Sequence, residues 1–143
     1  MANAFQLRLV TPTGIAFDGP VAEVIATGPR GEFGVLAGHI NLITSLAPCL
    51  VQIKPEGGGG ETWIISGGLA EVKDGAMTVL ANGAERPDAV DRRAAEADEK
   101  AAEQKFSALS FYDAEYAGAV DALLLARARK EGAALESAPR AGQ

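Results

Sequence analysis

A single imidazole, His39, and a single thiol, Cys49, bound the chemistry open to this 143-residue chain. A serine or cysteine triad needs an imidazole base and would have to use His39, and a metal site built on two histidines is impossible. Cys49 sits in the apolar run Leu46 to Ile53 and reads as a small core residue; one cysteine forms neither a disulfide nor a cysteine zinc site within its own chain. The Ser66-Gly67-Gly68 step lacks the Gly-Lys-Ser/Thr ending of a phosphate loop and leads into a strand pattern rather than a helix, so it reads as backbone geometry. Glu23, Glu32 and Glu71 are carboxylates that an enzyme on a β scaffold could use for acid chemistry, but nothing in their spacing pairs them. Charges beyond Pro87 fall as on a solvated helix, with Glu96 four residues before Lys100. His39, set in a glycine turn, is therefore read as a contact or hydrogen-bonding residue rather than a catalyst.

The elements that carry these residues divide at Pro87. Of the 17 glycines only Gly118, Gly132 and Gly142 lie beyond it, where alanine dominates instead; that is helical composition. Before it, apolar segments stop repeatedly at turn residues: Phe5 to Val10, Ile15 to Phe17, Val21 to Thr27, Ile40 to Leu46, Leu50 to Lys54, Thr62 to Ser66, Leu69 to Lys73 and Ala76 to Leu80. This spacing predicts an all-β sandwich or barrel of about ten short strands. Pro55 to Gly60 reads as an exposed hairpin tip, and Asp74-Gly75 as a tight type I′ turn. After the break, Asp88 is expected to cap a helix running to about Leu109, supported by Asp91 in its first turn. Ser110 to Asp113 repeats the capping-box logic, so a second helix is expected to start there and fade near Glu131-Gly132 as the antiparallel partner of the first. The expected seam is Val90, Ala94, Ala97, Ala101 and Ala108 against Ala114, Ala117, Val120 or Asp121, Leu124 and Ala128. It would be a weak one, because alanine buries little area. Leu123, Leu124 and Leu125 cannot all face that seam, which points to another surface, here taken as a partner.

Net charge is −6, from Lys+Arg 13 against Asp+Glu 19. With no basic cluster, nucleic acid and anionic lipid are not expected partners. The chain starts directly on a strand pattern and contains no run of about 18 apolar residues, so neither export nor direct membrane insertion is expected. Membrane association would have to come through a partner.

Two segments carry a more specific signal: Gly31-Glu32-Phe33-Gly34-Val35-Leu36-Ala37-Gly38-His39, and Ser66-Gly67-Gly68-Leu69-Ala70-Glu71-Val72. Together they resemble the epsilon chain of F-type ATP synthases, whose pattern is G-E-[LF]-G-[IV]-x-P-G-H followed by S-G-G-x-x-E-V; Ala37 stands where that family usually has proline. The resemblance runs in order from about Phe5 to Asn82, and a helical tail follows. It implies a flattened β-sandwich over residues 1–87 that binds the central stalk, and a regulatory two-helix hairpin over residues 88–143 with a disordered end. It further implies a non-catalytic rotor subunit with no cofactor, placed between the gamma subunit and the c-subunit ring, whose hairpin can extend along gamma toward the alpha and beta subunits and obstruct ATP hydrolysis.

Carried over by position, Glu32 would meet the c ring and His39 would face gamma, with Phe33 added beside them; Thr11 and Thr44 fall at positions that approach gamma. Arg92, Arg93, Arg127 and Arg129 would be the cations of the regulatory helices. Some members bind ATP through [IL]-D-x-x-R-A. The run Val90-Asp91-Arg92-Arg93-Ala94-Ala95 places arginine one residue early, a 100° rotation that aims it away, so no ATP site is expected. Without a transit peptide, the expected location is the cytoplasmic face of a bacterial membrane. An adaptor with a helical interaction hairpin, or an enzyme on the β scaffold, would be the other readings.

Overall fold

The computed structural model describes residues 3–137. Its first part holds β1 (Phe5–Thr11), β2 (Gly14–Val21), β3 (Glu23–Gly28), β4 (Gly31–Leu36), β5 (Leu42–Lys54), β6 (Glu61–Lys73), β7 (Ala76–Ala81) and the two-residue β8 (Ala84–Glu85). A 3-10 turn at Pro87–Ala89 leads to α1 (Arg92–Ser107) and α2 (Tyr116–Ser137). The strands form one open sheet in the order β2-β1-β7-β6-β5-β3-β4, with β8 added on β6. Every pairing is antiparallel except that of β1 with β7.

What makes this one sheet a sandwich is a shared bend in its two longest strands. β5 and β6 pair from Leu42 opposite Val72 to Ile53 opposite Glu61, but the ladder skips in the middle, passing from Leu46 opposite Gly68 to Pro48 opposite Ser66. Pro48 has no amide to give to a ladder there. Gly68 turns with φ +154°, and a Cβ on it would lie 2.1 Å from the Leu80 carbonyl oxygen, so no other residue fits. One half of each strand then belongs with β7, β1 and β2, and the other half with β3, β4 and β8. Leu7, Leu9, Met77 and Val79 from the first layer close on Val24, Ala26, Val51 and Ile53 from the second. The same bend corrects the expected strand count: Pro48 and the Gly67-Gly68 pair are kinks within strands, not their ends, and about ten short strands become eight. The Asp74-Gly75 turn is as expected, with φ +51° and +81°. Cys49 is buried in this core, and its burial pushes the thiol above its ordinary range despite a smaller opposing pull from Thr27.

The hairpin departs from expectation in its details. Asp91, not Asp88, caps α1: its carboxylate accepts from the Ala94 amide at 3.1 Å, while Asp88 lies in the 3-10 turn fixed by Pro87. Ser110 to Asp113 forms half of a box, the Ser110 amide donating to Asp113 at 2.6 Å while the Ser110 hydroxyl accepts from the Tyr112 amide, and the helix begins only at Tyr116 and continues past Gly132 to Ser137. The α1 seam is Ala95, Glu99, Ala102, Phe106 and Leu109, one residue round from the expected face; the alanines Ala94, Ala97, Ala101 and Ala108 are exposed. With alanine on every side, the two large side chains decide which face turns inward. α2 is buried on two sides. Ala119, Leu123, Ala126 and Ala133 lie at helical spacing along one, while Leu125 and Ala128 pack on Leu50 and Ile64 of the sandwich. The second surface implied by the three leucines is thus the chain's own. The expected disordered end falls outside the described residues.

Candidate docking face

The outer side of the β2-β1-β7-β6 layer is covered by no other part of the described chain. Strand alternation turns Arg8, Thr78, Glu71 and their neighbours outward, and one cross-strand row on that side is apolar. Register sets Ile15 opposite Val10, Val10 opposite Leu80, and Leu80 opposite Leu69. Ile15 is 58% exposed, Leu80 50% and Leu69 41%. One row away, Ile43 sits opposite Glu71 and is 67% exposed. A line of large aliphatic side chains across four strands, flanked by the exposed Arg8–Asp18 pair at 3.5 Å, is the pattern of a protein-binding surface.

Four of the five residues singled out in the sandwich meet at one end of this row. Glu32, Phe33, His39 and Thr44 line a shallow groove of about 360 Å3 with Arg30, Leu42 and Ile43. Glu32 lies near the start of β4 and His39 just beyond its end, and both reach the groove. Glu32 is exposed, whereas Phe33 is half-buried and packs against the core, so it supports the groove floor. His39 is half-buried, its Nδ1 bonded to the Ile40 carbonyl at 2.7 Å and its amide donating to Leu36 at 3.1 Å. Among the described residues Nε2 has no hydrogen-bond partner, and Ile40 beside it is 77% exposed. Thr44 lies on the inner side of the sheet edge and faces β3, where a Cβ on Gly28 would meet its hydroxyl at an ordinary contact distance of 3.5 Å. Thr11 stands apart from the groove. It is at the β1–β2 turn, beyond Val10 at the far end of the apolar row, with its hydroxyl bonded within the turn to Gly14. Arg30 and Ile43 were missed, because neither residue type nor spacing marks an exposed loop cation or an outward isoleucine before register is known.

The helical cations are dispersed. Arg92 pairs with Glu96 along α1, and Arg93 and Arg127 are exposed. Arg129 is held by Glu85 and Asp98. Among the carboxylates considered for acid chemistry, Glu23 is paired with Lys54 at 3.2 Å, Glu32 lies on the groove and Glu71 on the outer face, so no two converge. Among the described residues no cluster of three or more His, Cys, Asp or Glu could hold a metal, and no helix is long and apolar enough to cross a membrane.

Residues 4–87 match the ATP synthase Delta/Epsilon chain β-sandwich domain. The ATP synthase epsilon chain of Cyanothece sp. is 36% identical over 132 residues, covering 89% of this chain and 93% of its own. That of Desulforudis audaxviator is 39% identical, covering 76% and 79%. Among solved structures, a chain of the Euglena gracilis mitochondrial ATP synthase, OSCP/F1/c-ring in rotational state 1, superposes with a TM-score of 0.78 at 27% identity, covering 94% of this chain and 83% of that one. A chain of the Tetrahymena thermophila mitochondrial ATP synthase central stalk and c-ring shares the fold at TM-score 0.59 and 16% identity, covering 88% and 93%.

Proposed function

This chain belongs to the ATP synthase epsilon chain family, non-catalytic subunits of the central stalk, and we propose that it docks through the open face of its sandwich between the gamma subunit and the c ring. The observation that carries this placement is the apolar row from Ile15 to Leu69 with, at its end, a groove that carries Arg30, Glu32 and His39. A rotor subunit needs one broad face to hold the shaft and an adjacent charged corner to meet the ring, and Ile43, one row from the apolar line, lies on the groove. Glu32 serves the ring contact, and His39 and Thr44 the gamma side, with Phe33 as their support and Thr11 closing the far end. Residues 1–87 act as the docking domain and residues 88–143 as the regulatory one. The subunit is peripheral to its membrane, held by the complex on the cytoplasmic face of a bacterial membrane. A tagged full-length chain should bring down alpha, beta and gamma chains from solubilised membranes. Recovery of the chain without them would overturn the assignment in favour of an adaptor.

Two smaller effects follow. Glu32→Lys should weaken coupling between proton pumping and ATP hydrolysis only modestly, since an exposed polar contact contributes ~0.2–1 kcal/mol. Pumping and hydrolysis rates measured together in the variant complex test this, and wild-type coupling would count against any role for Glu32. Removal of residues 88–143 should leave synthesis largely intact and raise hydrolysis slightly, as an extended hairpin would reach alpha and beta only weakly through few cations. The change should not depend on ATP, because the run that would sense it is engaged otherwise: Asp91 caps α1 and Arg92 pairs with Glu96. Hydrolysis by intact and truncated complexes at low and high ATP decides both points; a large or ATP-dependent activation contradicts them.

A further inference from the structure

The hairpin rests on the sandwich through α2 alone; α1 packs on α2 and makes no comparable contact with the strands. The apolar part of this dock is small. Leu125 and Ala128, with Val90 of the linker, cover Leu50 and Ile64. Gly132 continues the contact, so close that a Cβ there would lie 3.0 Å from Ile64 Cδ1. Next to Ala128 stands Arg129, whose side chain is 30% exposed. Its Nε lies 2.6 Å from Glu85 Oε1 on β8, and its Nη1 3.4 Å from Asp98 Oδ2 on α1. One guanidinium therefore joins the sandwich, α1 and α2. β8 is itself paired to β6, with Glu85 opposite Ile64, so the sandwich end of this tie is fixed. Neighbouring cations are committed elsewhere: Arg86 to Glu61 and to the Trp63 ring at 4.9 Å, and Lys130 to Glu99 at 2.7 Å.

We propose that Arg129 is a positioning residue, a polar pin that sets how much of the chain holds its hairpin against the sandwich and makes that fraction depend on ionic strength. This refines the regulatory part of the proposed function. A planar guanidinium satisfies two carboxylates on different elements at once, which neither a lysine nor an apolar side chain does equally well. Because the apolar dock is small, a tie of ordinary strength shifts the balance between docked and released states measurably. Because the partners are partly exposed, added salt weakens it. Lys130–Glu99 lies within the hairpin rather than across the dock, so α1 and α2 stay together when the pin opens.

The test uses the full chain, isolated, so its outcome is independent of whether the stalk assignment holds. Spin labels on Thr13→Cys and Lys105→Cys, both exposed sites with Cys49 buried between the layers, report the distance between sandwich and hairpin. The native chain should show mainly the short distance at low salt and a growing long-distance population at high salt. Arg129→Met, which keeps the stem and removes the guanidinium, should raise the ratio of long to short distances about five-fold at low salt, as for a partly exposed pair of ~1 kcal/mol, and lose most of the salt response. Arg129→Lys should recover part of both. Glu85→Gln should act like Arg129→Met and add little to it. Trp63 emission separates unfolding of the sandwich from release of the hairpin. An Arg129→Met chain with native distances and native salt response, or equal behaviour of the Lys and Met variants, would overturn the proposal.

Discussion

Leu80→Glu is expected to cost the chain most of its hold on the stalk while leaving the isolated protein folded. Leu80 lies in the middle of the apolar row, with Leu69 and Val10 on the adjacent strands, and half its surface is already open to solvent. A glutamate there stays hydrated in the free chain, so stability should move by no more than about 0.5 kcal/mol. In the assembled stalk the same carboxylate would be buried against an apolar partner without a counter-ion. Central interface positions of this kind are worth about 2 kcal/mol or more, which corresponds to roughly thirty-fold weaker binding. Titration of the variant into ATP synthase depleted of this chain measures the loss, with Gln104→Glu on the exposed side of α1 as a matched control. Affinities equal to that control would remove this face from the interface.

Gly68→Ala should be among the most destabilising single-methyl additions to the sandwich. The new Cβ would sit 2.1 Å from the Leu80 carbonyl oxygen and 3.0 Å from Ala81 Cα, both backbone atoms of a paired strand that cannot swing aside. Strain from the positive φ adds to that clash, and together they should amount to roughly 3–5 kcal/mol, a large share of the ~5–15 kcal/mol typical of a domain. Gly58→Ala isolates the clash, because Gly58 also has positive φ but nothing within 4 Å of its missing Cβ. Urea unfolding of the full chain followed through Trp63 gives both values. A difference below about 1 kcal/mol between them would mean that β7 yields easily, and that the bend is not held by this contact.

These two residues also mark how far the sequence could be read. Strand positions before Pro87 were legible because period-two alternation and turn residues both point to them. The two-layer arrangement was not, since Pro48 and Gly67-Gly68 are as suited to ending a strand as to bending it. Only their meeting across the β5–β6 ladder separates the two cases. Glu32 and His39 were named from the motif and Thr44 from its position in the resemblance, and the groove they share adds Arg30 and Ile43, whose places depend on register and loop closure. In the hairpin, the existence of two antiparallel helices followed from composition, but their inward faces did not. Alanine gives every side similar hydrophobicity, and Glu85, Asp98 and Arg129 are brought together from positions whose spacing carries no periodic signal.

The shared bend in β5 and β6 has a mechanical consequence for a part that must turn under load. Two layers joined only by side-chain packing could slide past one another when torque enters through one and leaves through the other. Here two adjacent 13-residue strands run unbroken from one layer into the other. Shear between the layers would therefore have to deform a continuous covalent backbone, and the sandwich should behave as a stiff coupling rather than a slipping one.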